Sequence, residues 1–342
     1  MQITTIGLDL AKNVFQLHAI DGAGAVVLRK RLRRAQVMNF FADLPRCVVG
    51  LEACGSAHFW ARELIALGHD VRIIPPSYVK AYVRRGKNDA ADAEAICEAV
   101  QRPNMRFVPV KSEDQQSVLM LHKARNLIQR QRTMLINALR AHMAELGVVA
   151  AQGPSRVADL IAIIEDDEDE TIPHLAKAVL RPMVTQLRAC ETSAKELEGE
   201  IRTWHRDHEA SRRLATIPGL GEITASLIAA TVPDASFFRS GREFAAWLGL
   251  TPRQNSSGGK ERLGRTTKQG NRHIRSLLVI GATSLLRYWR GKLGNEAAWV
   301  NRLLERRPPR LVTVALANKL ARIVWAVLVR GETYRQPSAA LA

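Results

Sequence analysis

Apolar and polar positions alternate with two different periods over the first 110 residues of the chain. Apolar runs at residues 4–9, 14–20 and 25–28, with the turn DGAG before the last, predict an antiparallel meander of three strands. Two further strands are predicted at residues 47–51 and 71–74, and three helices at residues 35–44, 56–67 and 89–100. The first 110 residues are therefore predicted to form an α/β domain with a mixed sheet.

The order of these elements narrows the fold class. Three antiparallel strands followed by helix, strand, helix, strand and helix is the order of an RNase H-like domain, whereas periodicity alone supports only a mixed α/β sheet. We therefore predict an RNase H-like domain over residues 1–110.

Two long helical patterns follow. Residues 112–146 form one predicted polar helix, with Leu121, Ile128 and Leu135 at heptad spacing. After an acidic run, a second helix has a clearer apolar stripe, formed by Leu187, Cys190, Ala194, Leu197, Ile201 and Trp204. Residues 111–210 are thus predicted to form a long-helix region. It is either an antiparallel or intermolecular coiled coil, or an ordinary helical hairpin packed on its own domain.

The last part of the chain, residues 211–335, is predicted to form an all-α domain. Helical patterns at residues 222–231, 271–290 and 311–330 are interrupted by a polar loop at residues 251–270. Pro218-Gly219-Leu220-Gly221 is typical of a helix–hairpin–helix, in which amides near Gly219 and Gly221 approach a phosphate at a helix N-terminus. A tight turn between two core helices explains the same residues equally well.

Charge is distributed unevenly along the chain. The net charge of the chain is +17. The part from Arg239 onward holds 20 Lys and Arg against 5 Asp and Glu, so the net charge of this part alone is +15. Such a basic third indicates binding to nucleic acid, because one-sided charge repels itself unless a polyanion neutralises it. The alternative is a basic surface that only keeps the protein soluble.

The composition, with 46% hydrophobic and 24% charged residues, is that of a soluble globular protein. No basic leader precedes the first apolar run. The apolar stretch at residues 311–329 contains Asn318, Lys319 and Arg322, which favours a core helix over a membrane span. Four cysteines without CxxC spacing argue against a zinc site or a disulfide framework. We expect a cytoplasmic protein without membrane contact.

Four carboxylates stand where this order of elements would bring them together. Asp9 and Glu52 end the first and fourth predicted strands, and Asp89 and Asp92 lie one turn apart at the start of the last helix. If the two strands are neighbours that stop at the same sheet edge, the four side chains converge there. Two hard divalent ions about 4 Å apart require such a set of oxygen ligands. Mg²⁺ or Mn²⁺ is the expected cofactor.

Simpler explanations exist for the single carboxylates. Asp89 and Asp92 could complement the helix dipole, and Glu52 could be a solvated strand end. Asp9 is harder to explain in this way, because a carboxylate that finishes an apolar central strand is costly unless it is paired or bound to a metal ion.

Small residues form a flexible loop at residues 254–259 (QNSSGG), and alone such a loop is usually a linker. Here it is surrounded by cations that could contact nucleic acid, and these are Arg253, Lys260, Arg262, Arg265, Lys268, Arg272 and Arg275. A serine hydroxyl needs a base, a metal ion or neutralisation of the phosphate charge to act as a nucleophile.

Six motifs resemble those of the DEDD transposases of bacterial insertion sequences, which are relatives of the Piv DNA invertase and have a RuvC-like N-terminal domain. In the first half of the chain the motifs are GLDLAK at residues 7–12, LEACG at 51–55 and KNDAADA at 87–93. In the second half they are IPGLG at residues 217–221, WLGLTP at 247–252 and SSGGK at 256–260. The resemblance therefore spans nearly the whole chain.

The resemblance implies a metal-binding tetrad, formed by Asp9, Glu52, Asp89 and Asp92. It also implies a nucleophilic serine in the C-terminal domain. By its position before Gly258 this is Ser257, with Ser256 as the neighbouring alternative. The implied partners are double-stranded DNA at the element ends and the target, a structured non-coding guide RNA, and further copies of the chain in a dimer or tetramer.

Two alternative functions stay open at this point. A RuvC-type structure-specific nuclease would use metal-activated water in place of serine and would form no covalent adduct with DNA. A non-catalytic nucleic-acid-binding protein would need only the basic C-terminal third, and Asp9→Ala would then leave every activity intact.

Overall fold

The computed structural model describes residues 2–83, 88–256, 258–260, 262–292 and 294–335. The chain divides into two compact units, Met1–Glu113 and Asp114–Ala342. Hydrophobic clusters lie within each unit, so each has a core of its own. The further domain boundary expected near residue 210 stays a prediction.

The N-terminal unit is built on a five-stranded mixed sheet in the order β3-β2-β1-β4-β5. Its strands are β1 (Thr5–Asp9), β2 (Val14–Ile20), β3 (Val26–Arg33), β4 (Val48–Glu52) and β5 (Asp70–Ile74). The first three strands form an antiparallel meander, and β4 runs parallel to both β1 and β5. The predicted mixed α/β sheet is confirmed, and its strand order is consistent with an RNase H-like domain.

Helices cover the two faces of this sheet. They are α1 (Val37–Ala42), α2 (Ala57–Ala66), α3 (Pro76–Val79) and α4 (Asp89–Val100). Side chains alternate between the faces of a strand, and Ile6, Leu8, Val49 and Leu51 pack with α1 and α2 in one buried cluster. The opposite face of β1 and β4 is covered by α4.

The C-terminal unit contains two long helices joined by a short one. They are α5 (Glu113–Glu145), α6 (Val157–Glu165) and α7 (His174–Asp207). Arg125 pairs with Glu198 at 2.6 Å and Arg132 with Glu191 at 2.9 Å, so α5 and α7 run antiparallel within one chain. Towards α6, apolar side chains of all three helices form a buried cluster.

Six helices pack around a second, larger core in the same unit. They are α8 (Glu209–Ala215), α9 (Glu222–Thr231), α10 (Gly241–Trp247), α11 (Arg272–Trp289), α12 (Asn295–Leu304) and α13 (Pro309–Arg330). Among the described residues, α13 is the one helix long and apolar enough to cross a membrane. Its residues Val312, Leu316, Leu320 and Val324 are buried in this core, as expected for a core helix.

A short hairpin interrupts the helices where the sequence predicted a polar loop in an all-α domain. It is formed by β6 (Pro252–Gln254) and β7 (Leu263–Thr266), which pair antiparallel. Both strands are largely exposed, so they lack the alternation of apolar and polar residues that reveals a strand packed on a core. Backbone hydrogen bonds rather than apolar burial therefore define this element.

Candidate functional site

Two glycines on neighbouring strands let α4 lie directly on the sheet. Gly7 of β1 pairs with Gly50 of β4. A Cβ atom at Gly7 would lie 2.1 Å from the carbonyl oxygen of Ala93, and one at Gly50 would lie 2.9 Å from Cβ of Val100. No side chain fits at such distances, so these glycines serve the close approach of helix and strand.

Side chains alternate between the two faces of β1 and β4, and this alternation directs two carboxylates to the face that α4 covers. Asp9 follows Gly7 by two residues and Glu52 follows Gly50 by two, so all four positions share the α4 face. Both strands end here, one residue beyond the paired Leu8 and Leu51. The expected meeting of two strand ends at one sheet edge is thus present.

Helix α4 brings the other two carboxylates to this edge. Asn88 caps the helix, because its Oδ1 accepts a hydrogen bond of 2.7 Å from the amide of Ala91. Asp89 and Asp92 lie in the first turn of the helix. The close packing at Gly7 fixes the position of this turn relative to β1.

Electrostatics show that the four carboxylates are near one another. Burial raises the pKa of Asp9 to about 6, together with the negative charges of three neighbours. In order of effect these neighbours are Asp92, Asp89 and Glu52. The other three carboxylates of the predicted tetrad therefore lie close enough to Asp9 to affect its half-buried carboxyl group.

The four carboxylates are close enough to repel one another, but they are not at the distances of metal ligands. Within the described ranges, no three His, Cys, Asp or Glu side chains are arranged at the distances of metal ligands. Carboxylates that repel one another are expected to stand apart until a cation draws them together, so this spacing agrees with the raised pKa of Asp9. An oxygen-only set of ligands suits a hard divalent ion.

We predict that Gly7→Ala destabilises the N-terminal unit by about 3 kcal/mol or more, at the upper end of overpacking effects. The new methyl group would collide with a backbone oxygen of α4, which cannot move as a side chain can. Hydrogen exchange of the full chain should show faster exchange in β1 and α4. Gly55→Ala is the matched control, because nothing lies within 4 Å of a Cβ at that position. Equal exchange in both variants would contradict the proposed close approach.

The sequence prediction named the carboxylates but missed the two glycines. Gly7 and Gly50 were available as a signal, since each interrupts an apolar strand and such a glycine often marks a close backbone approach. Their pairing across β1 and β4 becomes visible only with the strand register.

The second part of the predicted site belongs to the segment that joins β6 and β7 in the sequence. Ser257 lies outside the described residues. Ser256 is exposed, and its Oγ accepts a hydrogen bond of 3.2 Å from the amide of Arg262. The amide of Asn255 donates to the carbonyl of Arg262 at 2.8 Å, which continues the pairing of the strands. Ser256 therefore lies on a hairpin with defined backbone hydrogen bonds.

The neck of this hairpin is tightly closed. Gly249 and Gly270 both have positive φ, and a Cβ at either would lie within 2.4 Å of backbone atoms, at Gln269 and Trp247 respectively. Arg275 donates to the carbonyls of Leu248 at 3.0 Å and Gln269 at 2.6 Å. These contacts hold the two ends of the hairpin together.

Most of the predicted phosphate-binding cations are available to a ligand. The exposed ones, none of which forms an ion pair with a described residue, are Arg253, Lys260, Arg262, Arg265, Lys268 and Arg272. Arg275 differs, because it is half-buried and its Nη1 donates to both carbonyls at the hairpin neck. Burial lowers its pKa from the usual arginine value. The structure thus gives Arg275 a structural role.

The segment between α8 and α9 has two distinct glycines. Gly219 packs against α11, where an added Cβ would lie 2.7 Å from Cδ1 of Leu285. Gly221 is the exposed N-cap residue of α9, with open space around its Cβ position. Core packing explains Gly219, and the amides next to Gly221 are the ones that could face a phosphate.

Comparison with known proteins adds to this geometry. A DEDD transposase model described as "Transposase" matches residues 6–147, and one described as "Transposase IS116/IS110/IS902 family" matches residues 211–295. The first range contains all four carboxylates, and the second contains the serine hairpin.

Relatives extend the match to nearly the whole chain. A Pseudomonas aeruginosa protein named "Probable family 20 transposase" is 47% identical over 98% of this chain and 99% of its own length. The transposase for insertion sequence element IS1328 of Yersinia enterocolitica is 41% identical, over 97% and 98%. A pilin gene-inverting protein of Moraxella bovis is 25% identical over 96% of each chain. The chain therefore belongs to the IS116/IS110/IS902 family of transposases and is an enzyme of DNA transposition.

Proposed function

We propose that this transposase cuts and rejoins double-stranded DNA at the ends of its insertion sequence and at a target. In this proposal the carboxylates Asp9, Glu52, Asp89 and Asp92 and the nucleophile Ser257 act on the same phosphodiester. The observation that carries the proposal is the position of Asp9 and Glu52 at adjoining strand ends beside the first turn of α4, where the charges of Asp92, Asp89 and Glu52 act on Asp9. The exposed cations around the hairpin support contact with the DNA backbone.

The residues present fit a divalent metal ion. Burial and the negative charges of the three other carboxylates raise the pKa of Asp9, and a cation between the carboxylates would relieve their repulsion. Asp9, Glu52, Asp89 and Asp92 would hold Mg²⁺ or Mn²⁺, in a set large enough for two ions. Bound ions of this kind supply neutralisation of the charge that develops on a phosphate.

The proposed reaction exchanges one phosphoester bond for another. The hydroxyl oxygen of Ser257 loses its proton to solvent and forms a bond to phosphorus, the bond from phosphorus to the deoxyribose oxygen breaks, and that oxygen takes a proton from solvent. Exposed cations such as Arg262 and Lys260 neutralise the phosphate during the exchange. Attack by a deoxyribose hydroxyl on the phosphoserine reverses the step, so rejoining needs no ATP.

The products distinguish this function from that of a metal-dependent nuclease. Full-length protein would be incubated with Mg²⁺ and a supercoiled plasmid that carries the flanks of its own element, and junctions would be sequenced. We expect joined junctions in the absence of ATP and none when EDTA is present. Broken ends with 5′-phosphates and no junctions would show hydrolysis and overturn the proposal.

Strand exchange needs several active sites, and we propose a dimer or tetramer that forms through α5. Three apolar side chains at seven-residue intervals are exposed there, Met120 at 62%, Leu127 at 53% and Met134 at 67%. Replacing all three with serine should lower the mass in sedimentation velocity to that of a single chain. Val149→Ser, at a position 81% exposed, is the control that should leave the mass unchanged. An unchanged mass of the triple variant would rule out this stripe as the interface.

A structured non-coding RNA is proposed as the guide for target choice, in a protein that acts in the cytoplasm. The excess of positive charge in the C-terminal third supports binding of RNA as well as DNA. Sequencing of the RNA that co-purifies with the full-length protein tests this. One RNA species encoded at the end of the element is expected, and random cellular RNA would count against guidance.

A further inference from the structure

A large open groove lies on the C-terminal unit beside the base of the hairpin. It lies between α10, α12, α13 and the base of the hairpin, where Pro252 and Thr266 line it. Its volume of about 1460 Å³ exceeds the roughly 300–1,000 Å³ of a pocket for a small molecule. The groove therefore has room for an extended ligand that continues towards the serine loop.

The described residues that line the groove include cations but no acids. No Asp or Glu is among the described residues that line it, whereas four cations are, namely Arg242, Arg310, Lys319 and Arg322. None of the four forms an ion pair with another described residue, and the three arginines are exposed. An uncompensated set of cations in a groove attracts a ligand with repeated negative charge.

Between the cations the groove is apolar and contains two indole rings. Nζ of Lys319 lies 4.9 Å from the ring centroid of Trp299. Nε1 of Trp325 donates a hydrogen bond of 3.1 Å to the carbonyl of Phe238, which fixes the orientation of that ring. Both rings are half-buried, so part of each remains accessible. The lining thus combines flat aromatic surfaces with positive charge.

Unpaired nucleic acid has the complementary chemistry. Its bases present flat apolar faces that stack on aromatic side chains, and its phosphates repeat a negative charge along the chain. A duplex offers the phosphates but hides the faces of its bases within the stack. We propose that this groove binds a single-stranded stretch of nucleic acid that leads to the serine hairpin. The inference rests on the proposed function for the presence of nucleic acid, and it adds that one strand is unpaired there.

The test measures affinity of the full chain for fluorescein-labelled oligonucleotides of about twelve nucleotides. Thymidine DNA and uridine RNA strands are compared with a duplex of equal length by fluorescence anisotropy. We expect the combined variant Arg242→Gln, Arg310→Gln and Arg322→Gln to bind both strands about fiftyfold more weakly near 0.15 M salt, since each phosphate contact contributes about fourfold there. Duplex binding should fall by a clearly smaller factor, because a duplex cannot place its bases on the indole rings that position a single strand along these cations. Whether DNA or RNA is bound more tightly identifies the natural strand.

The aromatic part of the proposal has a separate readout. Trp299→Leu should weaken single-strand binding by about fivefold or more, because the stacking surface is lost, and Trp299→Phe should restore most of it. Arg330→Gln is the control for the loss of a single charge, because it removes one positive charge from the exposed end of α13 outside the groove. This control should leave single-strand binding unchanged.

Three results would overturn the proposal. They are wild-type affinity for single strands in the triple variant, an equal loss for duplex and single strand, and a change in self-association without a change in binding. Junction formation by the wild-type protein is measured in parallel. If junctions form while the groove variants bind normally, the groove assignment fails and the transposase function stands.

Discussion

Asp9→Asn is expected to lower the rate of DNA cleavage by about a thousandfold or more. Metal-bound charge stabilisation in a phosphoryl transition state is worth several kcal/mol, and each 1.36 kcal/mol is a factor of ten in rate. Asp9 stands on the central strand, where the other three carboxylates act on it, so its loss removes a proposed ligand that is near all of the others. Appearance of joined junctions over time is the measurement. Asp43→Asn, an exposed acid of the same unit, is the control and should react like the wild type.

The same substitution is expected to stabilise the protein in EDTA. Because the pKa of Asp9 is raised from 3.8 to about 6, its protonated form favours the folded state. This contribution is fully present below about pH 4 and is lost as the pH rises through about 6. Two pKa units correspond to about 3 kcal/mol, which solvent screening at this half-buried group reduces to about 1–2 kcal/mol. Asp9→Asn should therefore raise the melting temperature at pH 8.

With Mg²⁺ in place of EDTA, the wild type should have a higher melting temperature than Asp9→Asn. The ion should stabilise the wild type at pH 8, because it binds the folded state, and should have little effect on Asp9→Asn. Equal stabilisation of both proteins by Mg²⁺, or an active Asp9→Asn variant, would contradict a metal site at this sheet edge.

Ser257→Ala is expected to abolish both cleavage and the covalent link to DNA. Loss of a nucleophile removes the whole covalent route, and we expect a fall in junction formation of at least about a thousandfold. Labelled DNA that stays with the denatured protein, and is released by protease, reports the link. Mass spectrometry should then place the modified residue in the peptide around the hairpin tip.

Ser256→Ala tests whether the adjacent serine is the nucleophile instead. The hydroxyl of Ser256 already accepts a hydrogen bond from the amide of Arg262, so its removal should loosen the hairpin while leaving the covalent link intact. Loss of the link in Ser256→Ala and its survival in Ser257→Ala would assign the nucleophile to Ser256. Survival in both variants would exclude this serine pair.

Local signals in the sequence were sufficient for several elements. The bounds predicted for the helices at residues 89–100 and 222–231 agree with α4 and α9. At α4 an asparagine cap and two acids in the first turn mark the start, which are short-range effects that single residues report. The positions of Asp9 and Glu52 at strand ends followed from the same kind of signal.

Features that depend on distant contacts were not predictable. The structural role of Arg275 depends on two carbonyls, of which Leu248 lies 27 residues away. The groove combines Arg242 with residues of α12 and α13 that lie about 57 to 84 positions further along the chain. Short helices such as α6 and α10 offer too few turns for a period to stand out. Such features can be recognised only once the fold shows which distant residues are in contact.

The close packing at Gly249 and Gly270 determines how a small change at the base of the hairpin affects the rest of it. Gly249 and Gly270 hold 20 intervening residues by backbone contacts that leave no space for a Cβ. A small rotation at this point displaces the far end of the hairpin by a larger amount, and a displacement of about 1 Å at a reacting atom can cost about a hundredfold in rate. In the proposed reaction, a substitution at Gly249 or Gly270 would therefore lower the rate through the position of the hairpin, without removing any group that takes part in the chemistry.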